Sequence, residues 1–270
     1  VNKYDLILIE KELFPNLPGI FESLLYYLGK PFIVDYDDAI HHHYDNNKNF
    51  LIRLLSKKID VIMRRSDLVI CGNEYIAKRA RAVNSKNIEI IPTVVDINMY
   101  HVSEKKIPSS IVIGWIGTPS TVHFLELVRE SLEALSREID FTLHVIGAKF
   151  SSDFFEVKCI DWTEETEEKS IQAIDIGIMP LSDGPWEKGK CGYKLIQYMA
   201  SGLPVVASPI GINRDIVCHG DNGFLVSNQK QWIRSLSNLV ANKSLRSRLG
   251  LNGRQHVLKT YSLINAAPKL

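Results

Sequence analysis

Residues 183–207 have the sequence DGPWEKGKCGYKLIQYMASGLPVVA, in which an amphipathic helix follows a short loop and precedes a β-strand. The helix is predicted to start near Lys190, and the strand is predicted at 204–208 (PVVAS), a short apolar run. The face of the helix that packs on the sheet is predicted to contain Leu195, Ile196, Met199 and Ala200. This order of elements predicts an α/β fold around the stretch.

The same alternation extends over the whole chain. Short β-branched runs are separated by longer helical patterns, which is typical of βαβ units with a parallel sheet. The predicted strands are 4–9, 31–35, 68–71, 88–91, 111–116, 141–146, 174–179, 204–208 and 223–226. Helices are predicted near residues 18–29, 48–65 and 73–84, between the later strands, and over residues 229–260.

The domain organisation follows from one polar segment, SEKKIPSS at 103–110, whose composition predicts a linker. We expect two Rossmann-like domains with parallel sheets, over residues 1–105 and 106–270, with the last helices packing back on the first domain. The first predicted strand leads into a proline-rich turn at 14–19 and not into a glycine-rich loop, so the first domain is expected to lack its opening strands. Ligands of such sheets bind at the carboxyl ends of the strands.

Composition excludes several classes of protein. Lys and Arg total 32 against 31 for Asp and Glu, so no excess of charge predicts a nucleic-acid partner. The four cysteines are isolated, which favours reduced thiols in the cytoplasm. The sequence contains neither a run of about 18 apolar residues nor a signal-peptide pattern. We therefore expect a soluble protein for which contact with the inner membrane face stays open.

The predicted helix carries a candidate anion site. Lys190, Lys194 and Gln197 are spaced i, i+4 and i+7 and would share one helix face beside the helix amino terminus, which suits a diphosphate. A solvated basic helix face is the alternative. The segment GPWEKGKC at 184–191 also matches the phosphate loop of nucleotide hydrolases except at Cys191, which lacks the hydroxyl that binds magnesium. This departure argues against a nucleotide hydrolase.

A family resemblance appears in YKLIQYMASGLPVVASPIGINRDIV at 193–217, with GDNGFLV at 220–226. Together with IGWIGTPS at 113–120 and PTVVD at 92–96, these segments resemble the retaining glycosyltransferases of family 4, which have the GT-B fold. The resemblance implies transfer of a hexose from a nucleotide-diphosphate sugar to a saccharide or lipid-linked acceptor, with no further cofactor. It also implies a role in surface polysaccharide synthesis.

The resemblance also implies roles for individual residues. Gln197 lies where the family has a glutamate that grips the ribose, and Gly189 lies at the position of a second glutamate, for which Glu187 is a nearby substitute. His123 lies near the position of a family lysine, so the diphosphate contacts fall to Lys190 and Lys194. Gly117 and Thr118 match the glycine-rich loop of the family and are donor-binding candidates. Gly211 is a further candidate on its own residues, because a glycine at a strand-to-helix turn lets backbone N–H groups approach a ligand, and a tight turn is the alternative.

A second cluster of candidates is DYDDAIHHHYD at 35–45, at the end of a predicted strand. The resemblance places Asp37 and Asp38 at a His-Asp pair of the family, which implies acceptor orientation or charge stabilisation, with Glu187 as the third catalytic candidate. A solvated loop is the second possibility. A metal site ranks third, because alternate side chains of a strand point to opposite faces, and we predict none.

Two other functions fit the same architecture. A sugar-nucleotide epimerase would use similar donor contacts with a carboxylate acid and base. A non-catalytic nucleotide-sugar-binding relic would account for the altered donor carboxylates. Among the tryptophans, Trp186 is predicted to be the one that stacks on a sugar or a base.

Overall fold

The structure is a computed structural model that describes residues 4–102 and 110–269. Most of the predicted linker at 103–110 lies outside the described residues. Two compact units are formed, one from Val1–Thr93 with Gly184–Cys191 and the other from Val94–Asp183 with Gly192–Leu270.

The elements follow the predicted alternation. The strands are β1 (Ile7–Glu10), β2 (Phe32–Tyr36), β3 (Leu68–Cys71), β4 (Ile88–Ile90), β5 (Ile111–Ile116), β6 (Phe141–Ile146), β7 (Glu156–Ile160), β8 (Ile176–Met179), β9 (Val205–Ala207) and β10 (Gly223–Leu225). The α-helices are α1 (Ile20–Tyr27), α2 (His41–Asp45), α3 (Phe50–Arg53), α4 (Lys58–Arg65), α5 (Glu74–Ala82), α6 (Arg129–Ser136), α7 (Glu164–Gln172), α8 (Pro185–Lys188), α9 (Tyr193–Ala200), α10 (Asn213–Ile216), α11 (Gln229–Ala241), α12 (Lys243–Thr260) and α13 (Leu263–Ala266). Short 3₁₀-helices cover Ile97–Met99, Val122–Val128 and Ala267–Lys269.

The sheet of the first unit is parallel, in the order β1-β2-β3-β4. Ile9 pairs with Val34 and Val34 with Val69, so apolar residues form a continuous row across the sheet. Helices α4 and α5 cover this row with Ile59, Ile62, Met63, Ile76 and Ala80, all buried. The predicted helix 48–65 is divided into α3 and α4.

The sheet of the second unit is also parallel, in the order β10-β9-β8-β5-β6-β7. The order reverses between β5 and β8, which makes this pair of strands the topological switch point. One face of the sheet packs against α9 through Ile196, Tyr198 and Met199, and the other packs against α6 and α11. The two sheets confirm the predicted α/β fold with two Rossmann-like parts.

Two details differ from the sequence analysis. The second unit starts at Val94 and not at 106, because Val95 N donates to Tyr261 O at 3.0 Å and Leu263 N donates to Val95 O at 3.0 Å. Strand β7 was not predicted, because Glu156 and Lys158 interrupt its apolar pattern at the edge of the sheet. Within the part of the chain that the structure covers, no helix has the length and hydropathy of a membrane span.

A buried cation holds the loop that follows β1. The Lys58 side chain is fully buried, and its Nζ lies 2.6 Å from Glu12 Oε2 and 3.4 Å from Glu22 Oε1. Tyr44 Oη donates to Glu12 at 2.6 Å, and the amide of Phe14 donates to Glu22 at 3.2 Å. Two carboxylates thus share one ammonium group, which also donates to the carbonyl of Phe14.

We predict that Lys58→Met lowers the free energy of unfolding by about 3–5 kcal/mol, because it leaves Glu12 and Glu22 without their cation. Urea unfolding measures this loss. Lys57→Met is the matched control, since the Lys57 side chain is 81% exposed and its pair with Asp60 is worth about 1 kcal/mol at most. Equal losses in the two variants would contradict the buried network.

Candidate functional site

The carboxyl edge of the second sheet contains a pocket of about 550 Å³. Gly117–Pro119 after β5, Gly147–Lys149 after β6 and Asp161–Trp162 after β7 line it. Neighbouring parallel strands end at the same edge, so their loops converge there. The pocket therefore lies where this type of sheet binds its ligands, next to the switch point.

Lys194 brings a positive charge to this edge. Its Nζ lies 4.2 Å from the ring centroid of Trp115, which is buried at the end of β5. A Cβ on Gly117 would lie 2.6 Å from the same Nζ and 2.3 Å from the Trp115 ring. Glycine is thus required at 117, because any side chain would displace the ammonium group from the aromatic face.

The glycine loop contributes space and not amide donors. Gly117 N donates to Ile146 O at 2.9 Å, and Thr118 N donates to Thr121 Oγ1 at 3.1 Å. Thr118 itself is exposed, and its hydroxyl lies 2.8 Å from Ser120 Oγ. In this arrangement both amides already have partners, so the positive charge at the loop comes from Lys194.

The predicted i, i+4, i+7 face does not form. Helix α9 starts at Tyr193, because Gly192 has a left-handed conformation (φ 73°) that ends the preceding segment. Lys190 lies before this turn and belongs to the first unit, whereas Lys194 belongs to the second. The two lysines therefore do not share a helix face.

Gln197 is on α9 but is 2% exposed. Its amide Nε2 donates to Tyr100 Oη at 3.1 Å and to Glu167 Oε1 at 2.6 Å. Tyr100 Oη donates to the same carboxylate at 3.0 Å. Gln197 thus faces a buried polar cluster, which sequence spacing does not reveal because its partners are 30 and 97 residues away.

In the first unit, residues 184–191 lie against the strand ends. Asn73 Nδ2 donates to the carbonyl oxygens of Gly189 and Lys190 at 3.1 and 3.2 Å, and Cys191 N donates to Asp38 Oδ1 at 3.2 Å. A Cβ on Gly189 would lie 2.1 Å from Ala39 Cβ. This contact explains why a glutamate is absent at 189: its side chain has no room here.

Glu187 lies two residues earlier, in the first turn of α8. Its side chain folds towards the helix start, since a Cβ on Gly184 would lie 2.1 Å from Glu187 Oε2. A carboxylate at this place stabilises the helix amino terminus. Trp186 beside it is 37% exposed, whereas Trp162, which sequence reasoning did not single out, is the tryptophan that lines the pocket.

The two catalytic candidates after β2 have different surroundings. Asp37 pairs with Lys11 at 3.4 Å and accepts the amide of Asp38 at 2.8 Å. Burial, followed by the charge of Asp37, raises the pKa of Asp38 above its ordinary value, and Lys190 opposes the shift. The Lys190 ammonium group is thus close enough to influence the charge of the Asp38 carboxyl group.

His41, His42 and Asp45 offer atoms that could bind a metal ion, but the Arg79 guanidinium group competes for the carboxylate. One atom each of His41, His42 and Asp45 lies within 4.8 Å of the others. Arg79 NH1 donates to Asp45 Oδ2 at 3.1 Å, and a guanidinium group on the carboxylate disfavours a divalent ion. Burial lowers the pKa of His41 to about 3, so this ring is neutral at pH 7.

Gly211 follows β9 and has a φ of 53°. Ser208 and Asn213 fix the turn, since Asn213 Nδ2 donates to Ser208 O at 3.0 Å and Leu181 N donates to Ser208 Oγ at 3.0 Å. The turn thus joins the ends of β8 and β9, which are neighbours in the sheet.

Two Rossmann-like units with parallel sheets match the GT-B fold of glycosyltransferase structures. Residues 110–242 match the family model described as glycosyl transferases group 1. A curated relative is TuaH of Bacillus subtilis strain 168, described as a teichuronic acid biosynthesis glycosyltransferase. It is 24% identical over 167 residues, which are 54% of this chain and 41% of the relative. The match spans less than half of that relative.

Solved structures agree in fold. Sucrose-phosphate synthase from Thermosynechococcus elongatus has a TM-score of 0.73 at 17% identity, over 99% of this chain and 72% of that one. Anabaena HepE in complex with UDP-glucose has a TM-score of 0.74 at 17% identity, over 99% and 77%. At these identities the similarities show the fold of the chain.

We predict that Asn73→Asp releases residues 184–191 from the first unit. The new carboxylate keeps the cap on Ile76 N, which Asn73 now provides at 3.0 Å, but it repels the carbonyl oxygens of Gly189 and Lys190. Limited trypsin digestion, read by mass spectrometry, should show faster cleavage after Lys188 and Lys190.

The control is Asn228→Asp, because Asn228 also caps a helix by accepting the amide of Gln231 at 3.0 Å. We expect its cleavage pattern at 184–191 to match that of the wild type. Unchanged protection in Asn73→Asp would show that the two carbonyl contacts do not hold the segment.

Proposed function

We propose that this protein is a retaining hexosyltransferase that moves a sugar from a nucleotide diphosphate to a saccharide or lipid-linked acceptor in surface polysaccharide synthesis. The observation that carries the proposal is the Lys194 ammonium group, held over Trp115 beside Gly117 at the switch point of the second sheet. The match of residues 110–242 to the group 1 family model, the UDP-glucose complex of HepE and the description of TuaH support the donor and the pathway class.

The chemistry of the transfer explains why a fixed cation matters. Breaking the bond between sugar and phosphate builds negative charge on the leaving diphosphate and positive charge on the anomeric carbon. A preorganised ammonium group stabilises that transition state more than the ground state. Since the aromatic face already holds Lys194 in place, little reorganisation is needed when the charge develops.

The other site residues take roles that are part of the same proposal. Asp38, with its raised pKa, and Asp37 orient the acceptor or stabilise charge, with Glu187 as the third carboxylate. Lys190 adds positive charge for the diphosphate. Thr118 and Gly211 border the donor, for which no metal or further cofactor is required.

The test is turnover of UDP-, GDP- and ADP-glucose with a panel of saccharide acceptors, followed by NMR of the anomeric proton of the product. Transfer with retained configuration supports the proposal. Epimerised donor recovered intact would replace it with an epimerase, and saturable binding with neither product would replace it with a binding protein.

We predict that Lys194→Ala lowers the affinity for nucleotide diphosphates by about tenfold to a hundredfold, because a charge-assisted hydrogen bond of about 1.5–3 kcal/mol is lost. Isothermal titration measures the affinity. The control Lys230→Ala removes an exposed lysine from α11 and should bind as the wild type does. Unchanged affinity in Lys194→Ala would show that Lys194 does not bind the diphosphate.

Our proposal also includes a cytoplasmic location with peripheral contact to the inner membrane face, where lipid-linked acceptors are found. The segment KNFLIRLLSK at 48–57 supports it, because it contains Lys48, Arg53 and Lys57 and no carboxylate. Leu51 and Leu54 in the same segment are 69% and 64% exposed. Exposed apolar side chains among cations suit an anionic lipid surface.

We predict that Leu51→Ser with Leu54→Ser reduces binding to phosphatidylglycerol vesicles by about tenfold or more, since two leucines no longer enter the lipid. Sedimentation with vesicles measures the bound fraction, and phosphatidylcholine vesicles test the charge dependence. Leu251→Ser, which changes a leucine 56% exposed on α12, is the control. Equal binding by all variants would exclude this surface.

A further inference from the structure

A polar cluster in the second unit surrounds the carboxylate of Glu167. Gln197 Nε2 donates to Oε1 at 2.6 Å, Tyr100 Oη donates to Oε1 at 3.0 Å, and Trp162 Nε1 donates to Oε2 at 2.7 Å. These three donors belong to neutral side chains and come from three separate parts of the chain. Their convergence fixes the position of one half-buried carboxylate.

The hydrogen bonds and the burial of Gln197 and Glu167 determine which of the two side chains can bind a ligand. Both hydrogens of the Gln197 amide are engaged, one by Tyr100 and one by Glu167, and the side chain is 2% exposed. A carboxylate has about four acceptor positions, and three are used here. Glu167, which is half-buried, therefore keeps one acceptor position, on Oε2, and the buried Gln197 holds Glu167 in place.

The cluster lies beside the candidate site. Trp162, whose indole binds Glu167, also lines the pocket at the ends of β5, β6 and β7. Gln197 follows Lys194 by three residues on α9, about 4.5 Å along the helix axis, so both are on neighbouring turns of one face. A ligand with a diphosphate at Lys194 would thus place its adjoining group near this cluster.

We infer that Glu167 binds the 2′-hydroxyl of the nucleotide ribose through the acceptor position left on Oε2, with Gln197 as its positioning residue. This inference rests on the proposed function. The Gln197 side chain is 2% exposed, so the half-buried carboxylate of Glu167 is the accessible acceptor of the cluster. A glutamate at 197 would place a second negative charge where Gln197 Nε2 now lies, 2.6 Å from Glu167 Oε1, so the chain keeps one carboxylate and a neutral donor.

The experiment compares UDP, GDP and ADP with their 2′-deoxy forms by isothermal titration. Wild-type protein should bind the ribose form about tenfold or more tightly than the deoxy form, because the deoxy form leaves a carboxylate acceptor unpaired. Glu167→Gln should lose this preference and bind the deoxy form within about twofold of the wild type. Glu168→Gln, which alters the neighbouring carboxylate that pairs with His101, is the control and should keep the preference.

The double variant Glu167→Gln with Gln197→Glu moves the carboxylate to α9 and should restore the preference in part. A ribose preference that persists in Glu167→Gln, or an equal loss of affinity for both forms, would overturn the inference while the diphosphate site at Lys194 stands. If none of the diphosphates binds the wild-type protein, the proposed function falls, and the inference falls with it.

Discussion

The position of the Lys194 ammonium group depends on Trp115 in β5 and on Gly117, which follows the strand. Trp115 has to be buried at the strand end so that its ring faces α9, and Gly117 has to lack a side chain so that the ammonium can approach that ring. An aromatic face attracts a cation through its ring electrons. The ammonium group is thus held at the carboxyl edge of the sheet, next to the loop that begins at Gly117.

Two clusters of buried or partly buried charges in the first unit are instead built from ion pairs. Lys58 is surrounded by Glu12 and Glu22, and Arg79 joins Asp45 to Asp60. Such pairs gain little net stability but are costly to break. They therefore fix the loops after β1 and β2 in one conformation.

Sequence periodicity was sufficient for the fold, since the strands at 68–71, 111–116 and 141–146 were predicted with the bounds that the structure has. Periodicity did not predict the environment of polar residues whose hydrogen-bond partners are far away in the sequence. Gln197 was assigned to a ligand from its spacing to Lys194, but its neighbours are Tyr100 and Glu167. Likewise, the helix start near Lys190 could not be corrected without the backbone angle of Gly192. Local patterns report which face of an element is apolar, whereas a site is built from contacts between remote segments.

The family resemblance implies glutamates at 189 and 197, and the structure gives a physical reason for the absence of each. At 189 the backbone approaches Ala39 so closely that a side chain does not fit, and the carbonyl groups of this segment are bound by Asn73. At 197 an amide is needed to donate to Glu167, which a second carboxylate would repel. The second unit has its own negative group beside the pocket, Glu167 on α7, where Trp162 and Tyr100 complete the hydrogen bonds of the carboxylate.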